Sequence, residues 1–287
     1  MTGRAVADTA RPLRAQATPK PTVTLFLLPA AAFFAAFFIL PMCRLFLVGG
    51  SGNLGWGAYA TIVTDPNYFQ ALLATLGVAT ATTVATLLIS GIAGVFLQRH
   101  KFPGNALVVS MLTLPLAFPG VVIGFMVIML AGRLGLIGSI SQALIGEKLV
   151  FAYSLTGLFM GYVYFSIPRT ILTVMAATEK LDPRLEEAAR SLGASPWRVV
   201  RDVMLPGLKS AFISSGAICF ATAVGAFGTA FTLATRINVL PMVIYTEFTL
   251  SANIPVAAAL SFVLGAVTWL VLALARSAAG STVAAAG

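Results

Sequence analysis

The chain has 287 residues, of which 59% are AVILMFWYC and only 9% are charged. Average soluble domains carry about 25% charged residues, and so few ionised side chains cannot clothe a globule of this size in water. A soluble enzyme, a disordered chain and a nucleic-acid-binding domain are therefore poor fits. Eighteen Lys and Arg against nine Asp and Glu leave a net charge of +9. In an apolar chain that excess reports membrane orientation, provided the basic residues segregate to one side.

Charge-free runs cover residues 21–43, 72–97, 106–131, 149–168, 210–235 and 248–275. A helix needs about 20 apolar residues to cross the hydrocarbon core. The chain therefore reads as all-α, with six transmembrane helices near 22–47, 70–97, 106–131, 150–175, 208–235 and 255–276. The runs lack the short alternating segments of a membrane β-barrel. The first run follows a basic leader (Arg4, Arg11, Arg14, Lys20) but exceeds a cleavable signal's apolar region of about 7–15 residues, so it reads as an uncleaved helix. Pro115 and Pro119 predict a kink or break in the third span. Gly120/Gly124 and Gly157/Gly161 are small-residue pairs that permit close helix contact, read here as packing within the chain.

With the N-terminus inside, 13 of the 18 basic residues fall on the cytoplasmic side, and four (Arg44, Arg133, Lys148, Arg236) fall outside. Both termini are therefore expected in the cytoplasm of a multi-pass inner-membrane protein. Arg169 is expected near the inner end of the fourth helix, snorkelling to the headgroups. The organisation reads as a cytoplasmic tail over 1–21, a first helix and outer loop over 22–69, a core over 70–277 and a cytoplasmic tail over 278–287. Trp56 and Tyr59 in the first outer loop are interface aromatics.

The loop 178–209 holds 11 of the 27 charged residues. Asp182-Pro183 and Ser195-Pro196 are cap-plus-proline signals, so two short helices are predicted. Leu181, Leu185, Ala188, Ala189 and Leu192 make an apolar face on the first, and Gly193 stops it. Trp197, Val200 and Met204 share one side of the second, which Leu205-Pro206 ends. An amphipathic helix pair of this kind can dock into a partner's groove or lie on the lipid surface.

Glu187-Ala188-Ala189, three residues, Gly193, nine residues, Val203, one residue and Leu205-Pro206 resemble the EAA motif of binding-protein-dependent ABC importer permeases. Val203 stands where the family has Ile. The run LDPRLEEAARSLGASPWRVVRDVMLPGLKSAF is similar well beyond the minimal motif, and the likeness covers about residues 70–277. The resemblance implies a type I importer permease that is not itself an enzyme. Its partners would be two ATPase subunits, a second permease subunit (a paralogue or an identical copy), an extracytoplasmic solute-binding protein and the lipid membrane, with no nucleic acid. ATP and Mg would be bound by the partner ATPase, and no cofactor by this chain. Carried over by position, Glu187, Ala188, Ala189 and Gly193 belong to the element that couples to the ATPase. Arg190, Trp197 and Arg198 are added as exposed contacts beside it.

No catalytic residue or metal ligand set emerges. There is no G-x-x-x-x-G-K-[ST] loop, and the lone His100 sits between Arg99 and Lys101 in a turn. The segments YFSIPRTIL, DPRLEEAARSLGASPW and AVGAFGTAFTLATRINVLPMVIYTEF look most like the spermidine/putrescine branch of the family. Permeases for iron(III), 2-aminoethylphosphonate or opine-like solutes are the alternatives. Glu247, the only acid after Asp202, is a pathway candidate for a polycation, or else an interfacial acid paired with Arg236. Asn238 and Asn253 flank the same segment. A secondary transporter or channel, or a structural membrane subunit, are the readings from other classes. Intramembrane charges for ion coupling are almost lacking, which counts against the transporter.

Overall fold

The computed structural model describes residues 21–233 and 237–279. The leader cations, Arg236 and the tail over 280–287 lie outside these residues. Among the described residues every regular element is helical, and six helices are long and apolar enough to cross a membrane: Leu27–Gly49, Pro66–Arg99, Gly120–Ile145, Leu155–Glu179, Pro196–Gly225 and Ile254–Ser277.

Two compact units divide at Leu45/Phe46. The first holds α1 (Pro21–Phe34), a π-helical turn over Ala35–Ile39 and the start of α2 (Leu40–Gly49). Phe33, Phe34, Phe37 and Phe38 are exposed, and they stack in pairs at 4.7 and 4.9 Å. An apolar helix that leaves its aromatics bare suits lipid as its surroundings.

The second unit begins within α2 at Phe46 and continues through a 3-10 turn (Gly55–Tyr59) and α3 (Thr61–Thr64). Phe46 gathers Trp56, Tyr59 and Phe262 at ring distances of 5.1, 5.4 and 5.0 Å. The long α4 (Pro66–Arg99) begins where the Asp65 carboxylate accepts from the Asn67 N–H and Pro66 occupies the first turn. Its buried face is built from small and hydroxyl residues, including Thr75, Ala79, Thr82, Thr86, Ser90 and Gly94. Such a face lets backbones approach closely, and α4 packs mainly on α8 (Leu155–Glu179) and α11 (Leu205–Gly225). Arg99, the last residue of α4, and Glu179, the last of α8, mark the end of the bundle that carries the 178–209 loop.

The predicted third span, 106–131, is two helices. After α5 (Asn105–Thr113) and a 3-10 turn (Leu114–Ala117), the chain is extended at Phe118 and Pro119 before α6 (Gly120–Ala131). Proline lacks an N–H and disfavours helix in the residue before it, so the expected break occurs here. The membrane-length stretch is shifted C-terminally, because α7 (Leu136–Ile145) extends the apolar helical run into what the sequence predicts as an outer loop. The predicted fifth span also breaks, at Ala226, between α11 and α12 (Phe227–Leu233). The final elements are α13 (Leu240–Thr249) and α14 (Ile254–Ala279).

Hydroxyls of neighbouring helices reach backbone groups at or beside these breaks, where backbone at membrane depth needs partners. The Tyr162 hydroxyl donates to the Ala226 carbonyl at 2.6 Å. The Thr229 hydroxyl donates to the Gly120 carbonyl at 2.9 Å. Thr75 Oγ1 accepts from the Leu240 N–H at 2.8 Å. The glycine pairs act within this packing: a Cβ on Gly124 would lie 2.6 Å from Thr232 Cβ on α12, and one on Gly161 would lie 3.0 Å from Thr229 Cγ2.

Candidate functional site: the loop helices and the bundle

The loop forms α9 (Pro183–Ser191) and α10 (Pro196–Val199). Asp182 and Ser195 cap them, accepting from the N–H groups of Arg184 and Arg198. Gly193 adopts φ +80°. Its N–H donates to the Arg190 carbonyl at 2.9 Å, and the Ala194 N–H donates to the Ala189 carbonyl at 3.0 Å. This paired closure needs a left-handed residue, which glycine supplies without steric cost.

Adjacent glutamates on α9 point opposite ways, since a helix turns about 100° per residue. Glu186 is buried at 7% exposure. Arg99 Nη2 donates to its Oε1 at 2.6 Å and to the Leu181 carbonyl at 3.1 Å. Glu187 is exposed and has no ion-pair partner among the described residues. Ala188, Arg190, Gly193, Trp197 and Arg198 are also exposed, and Ala189 is half-buried. Thus all seven loop candidates lie on two consecutive short helices and the turn between them.

The predicted apolar face of α9 does not pack inward. Leu185 and Leu192 are bare, Leu192 at 89% exposure. The second helix is rotated from its expected setting: Val199 and Met204 are buried, while Trp197 (68% exposed) and Val200 face out. It also does not end at Leu205-Pro206. A π-helical turn over Val200–Met204 carries it straight into α11. Pro206 has no N–H and its ring crowds the preceding turn; widening that turn absorbs both defects without stopping the helix.

At the opposite end of the bundle, the Tyr68 hydroxyl donates to Glu247 Oε1 at 3.0 Å, tying α4 to α13. The Asn253 N–H donates to the Glu247 carbonyl at 2.8 Å, so these two candidates meet through the backbone. Asn238 is exposed in the irregular link before α13. The pairing expected between Glu247 and Arg236 lies outside the described residues. Phe227, Phe231 and Tyr245 cluster nearby at 5.3–5.4 Å. Phe227 and Tyr245 also line an open apolar groove of about 650 Å³ with Phe248 and Trp269.

Arg169 is not at a helix end. Ten residues separate it from Glu179, about 15 Å at 1.5 Å per residue. Side chains lean towards their helix N-terminus, which for α8 is the end away from the loop. The guanidinium accordingly reaches Thr222 Oγ1 on α11 at 3.4 Å rather than the loop-side headgroups. His100 caps the C-terminal end of α4 and stacks on Phe96 at 4.6 Å. Among the described residues there is no cluster of metal-ligating side chains. The Arg99–Glu186 and Tyr68–Glu247 contacts join residues 87 and 179 positions apart, a separation at which no local pattern signals a pair.

Residues 86–280 match the family described as "Binding-protein-dependent transport system inner membrane component". The molybdenum transport system permease protein ModB of Escherichia coli is 34% identical over 189 residues, covering 64% of this chain and 81% of that protein. The sulfate transport system permease protein CysT of Salmonella typhimurium is 29% identical over 256 residues, covering 88% and 90%. A putative 2-aminoethylphosphonate transport system permease protein, PhnU of Salmonella typhi, is 28% identical over 244 residues, covering 83% and 84%. In fold, the chain is similar to a chain of the bacterial alginate ABC transporter crystallised with an alginate-bound periplasmic protein. The TM-score is 0.73 at 16% identity, with 88% of this chain and 92% of that chain covered.

Proposed function

Since the chain belongs to the binding-protein-dependent transport system inner membrane components, the permease subunits of ABC importers, we propose that it forms the membrane pathway for a small oxyanion and is driven through α9–α10 by a separate ATPase. The permease role is non-catalytic. The polyamine expectation finds no support among the relatives described above, whereas the 2-aminoethylphosphonate alternative does. Sulfate and phosphonates are oxyanions, and molybdenum dissolves in aerated water as one. A solute of that class is what these relatives have in common.

The observation that carries the coupling proposal is the bare face of α9–α10 on an anchored support. Arg99 and Glu186 hold one side of α9 to the bundle, while Leu185, Leu192 and Trp197 stay uncovered on the other. Exposed apolar anchors beside charged groups suit a groove on a protein partner. In this reading Glu187 offers a carboxylate to a basic residue of the ATPase, and Ala188 and Ala189 leave room for close approach. Gly193 sets the turn, and Arg190, Trp197 and Arg198 complete the contact. ATP and Mg are bound on the partner. A second permease subunit closes the pathway, and an extracytoplasmic binding protein feeds it at the end bearing Glu247, Asn238 and Asn253. Glu247, held by Tyr68, serves there as a tie between α4 and α13.

Cells carrying the complete importer test this directly, with uptake of molybdate, sulfate and 2-aminoethylphosphonate as readout. Glu187→Lys is expected to abolish uptake and to weaken co-purification of the ATPase, with normal membrane insertion. Full uptake by that variant would overturn the coupling assignment, and spermidine uptake in place of all three anions would overturn the solute class.

A further inference from the structure

Arg169 is the only charged side chain of α8 (Leu155–Glu179) before its last residue, Glu179, and it stands well inside that span. The acids Asp65, Glu147 and Glu247 flank the bundle at the end away from the loop, and Glu179, Asp182, Glu186, Glu187 and Asp202 lie at the loop end. None forms an ion pair with Arg169. The guanidinium has five N–H donors, yet its single hydrogen bond within the described residues is the long one to Thr222. The Phe165 ring adds only a distant contact at 6.0 Å, the outer limit for a cation over an aromatic face.

The surroundings are hydroxylic. Ser166, Thr170, Ser215 and Thr222 line the crevice at Arg169. Thr170, Ser215 and Thr222 donate their protons to carbonyls of their own helices, at 3.1, 2.7 and 2.7 Å. Their lone pairs are left for the guanidinium, and no hydroxyl proton competes with it for an incoming anion. The side chain itself is exposed. An unpaired arginine at this depth is costly against lipid, and intramembrane cations face a water-filled cavity or a partner.

We propose that Arg169 lines the translocation pathway and selects its cargo by charge, forming a transient fork-like contact with an oxyanion in transit. Guanidinium geometry matches two oxygens of a sulfate-, molybdate- or phosphonate-like group. The weak hold of Thr222 and Phe165 leaves the donors available when the anion arrives. This inference rests on the oxyanion reading above and places that chemistry at mid-span on α8, away from the loop and from Glu247.

The test uses the complete importer in proteoliposomes, with its ATPase and binding protein, and molybdate, sulfate and 2-aminoethylphosphonate as probes. Arg169→Gln is expected to lower uptake of the transported anion by about tenfold or more, the loss for one charge-assisted contact. Arg169→Lys should retain more uptake than Arg169→Gln. ATPase co-purification and ATP hydrolysis stimulated by the binding protein should persist in both. Arg169→Cys, with Cys43→Ser and Cys219→Ala, should react with membrane-impermeant methanethiosulfonates in at least one nucleotide state. The trimethylammonium reagent should restore anion uptake and the sulfonate reagent should not, a charge dependence that a packing role would lack. Unchanged uptake in Arg169→Gln, no labelling in any state, or equal restoration by both reagents would overturn the inference while leaving the oxyanion reading intact. A wild-type importer that carries spermidine and none of the anions would overturn both, and labelling of the cysteine would then show that the residue's placement was sound and the charge logic was not.

Discussion

Gly193 shows how one residue sets the turn between two helices. Its φ of +80° lies where a Cβ strains the backbone, and a Cβ there would meet no neighbouring atom. A substitution therefore acts through conformation alone. Gly193→Val is expected to cost about 1–2 kcal/mol locally and to splay α9 from α10. ATPase co-purification should fall while the melting of the detergent-solubilised bundle stays near wild type. Loss of the whole fold would contradict this local account. The glycine was legible from its place after an apolar run. The opposite facing of Glu186 and Glu187 was not, because both lie in the same short run of a half-exposed helix, and burial of one depends on Arg99 from another element.

At the scale of elements, that ion pair links α9 to the end of α4. With side-chain exposures of 19% and 10%, its members are largely removed from water, and the Arg99 Nε has no hydrogen-bond partner among the described residues. Removing one member of such a pair leaves a buried charge unpaired, at a cost of about 3 kcal/mol. Arg99→Ala is therefore expected to loosen α9, read as faster proteolysis within 178–209 and as ATP hydrolysis that no longer tracks solute uptake. The Arg99→Ala/Glu186→Gln double variant should recover part of the loss, since it removes both charges. Equal protease resistance in all three proteins would show that the pair holds nothing. Helix breaks follow the same division. Pro119 announced one in advance, but the break at Ala226 carries no proline and depends on Tyr162 taking up its carbonyl.

For the whole molecule, the segregation of 13 basic residues predicts that the loop and both termini lie in the cytoplasm, where ATP is found. A reporter active only outside the cytoplasm, fused at Gly287, is expected to stay silent, and the same reporter inserted in the 3-10 turn at Gly55–Tyr59 should be active. A bright C-terminal fusion would invert the topology and remove the loop from any cytoplasmic ATPase.

Composition and charge-free length by themselves determined an all-helical, six-span membrane protein, because hydrocarbon demands about 20 apolar residues per crossing and internal pairing of every backbone group. Motif spacing by itself located the loop 178–209 and its glycine stop, since caps and turns are local chemistry. Only the tertiary structure decided which glutamate anchors α9, that Glu247 is held by Tyr68, and that the α10 helix runs on through Pro206. It also moved Arg169 from an expected interfacial perch to mid-span beside Thr222. These outcomes depend on partners far away in sequence, and helical periodicity specifies which residues share a face but not what that face meets.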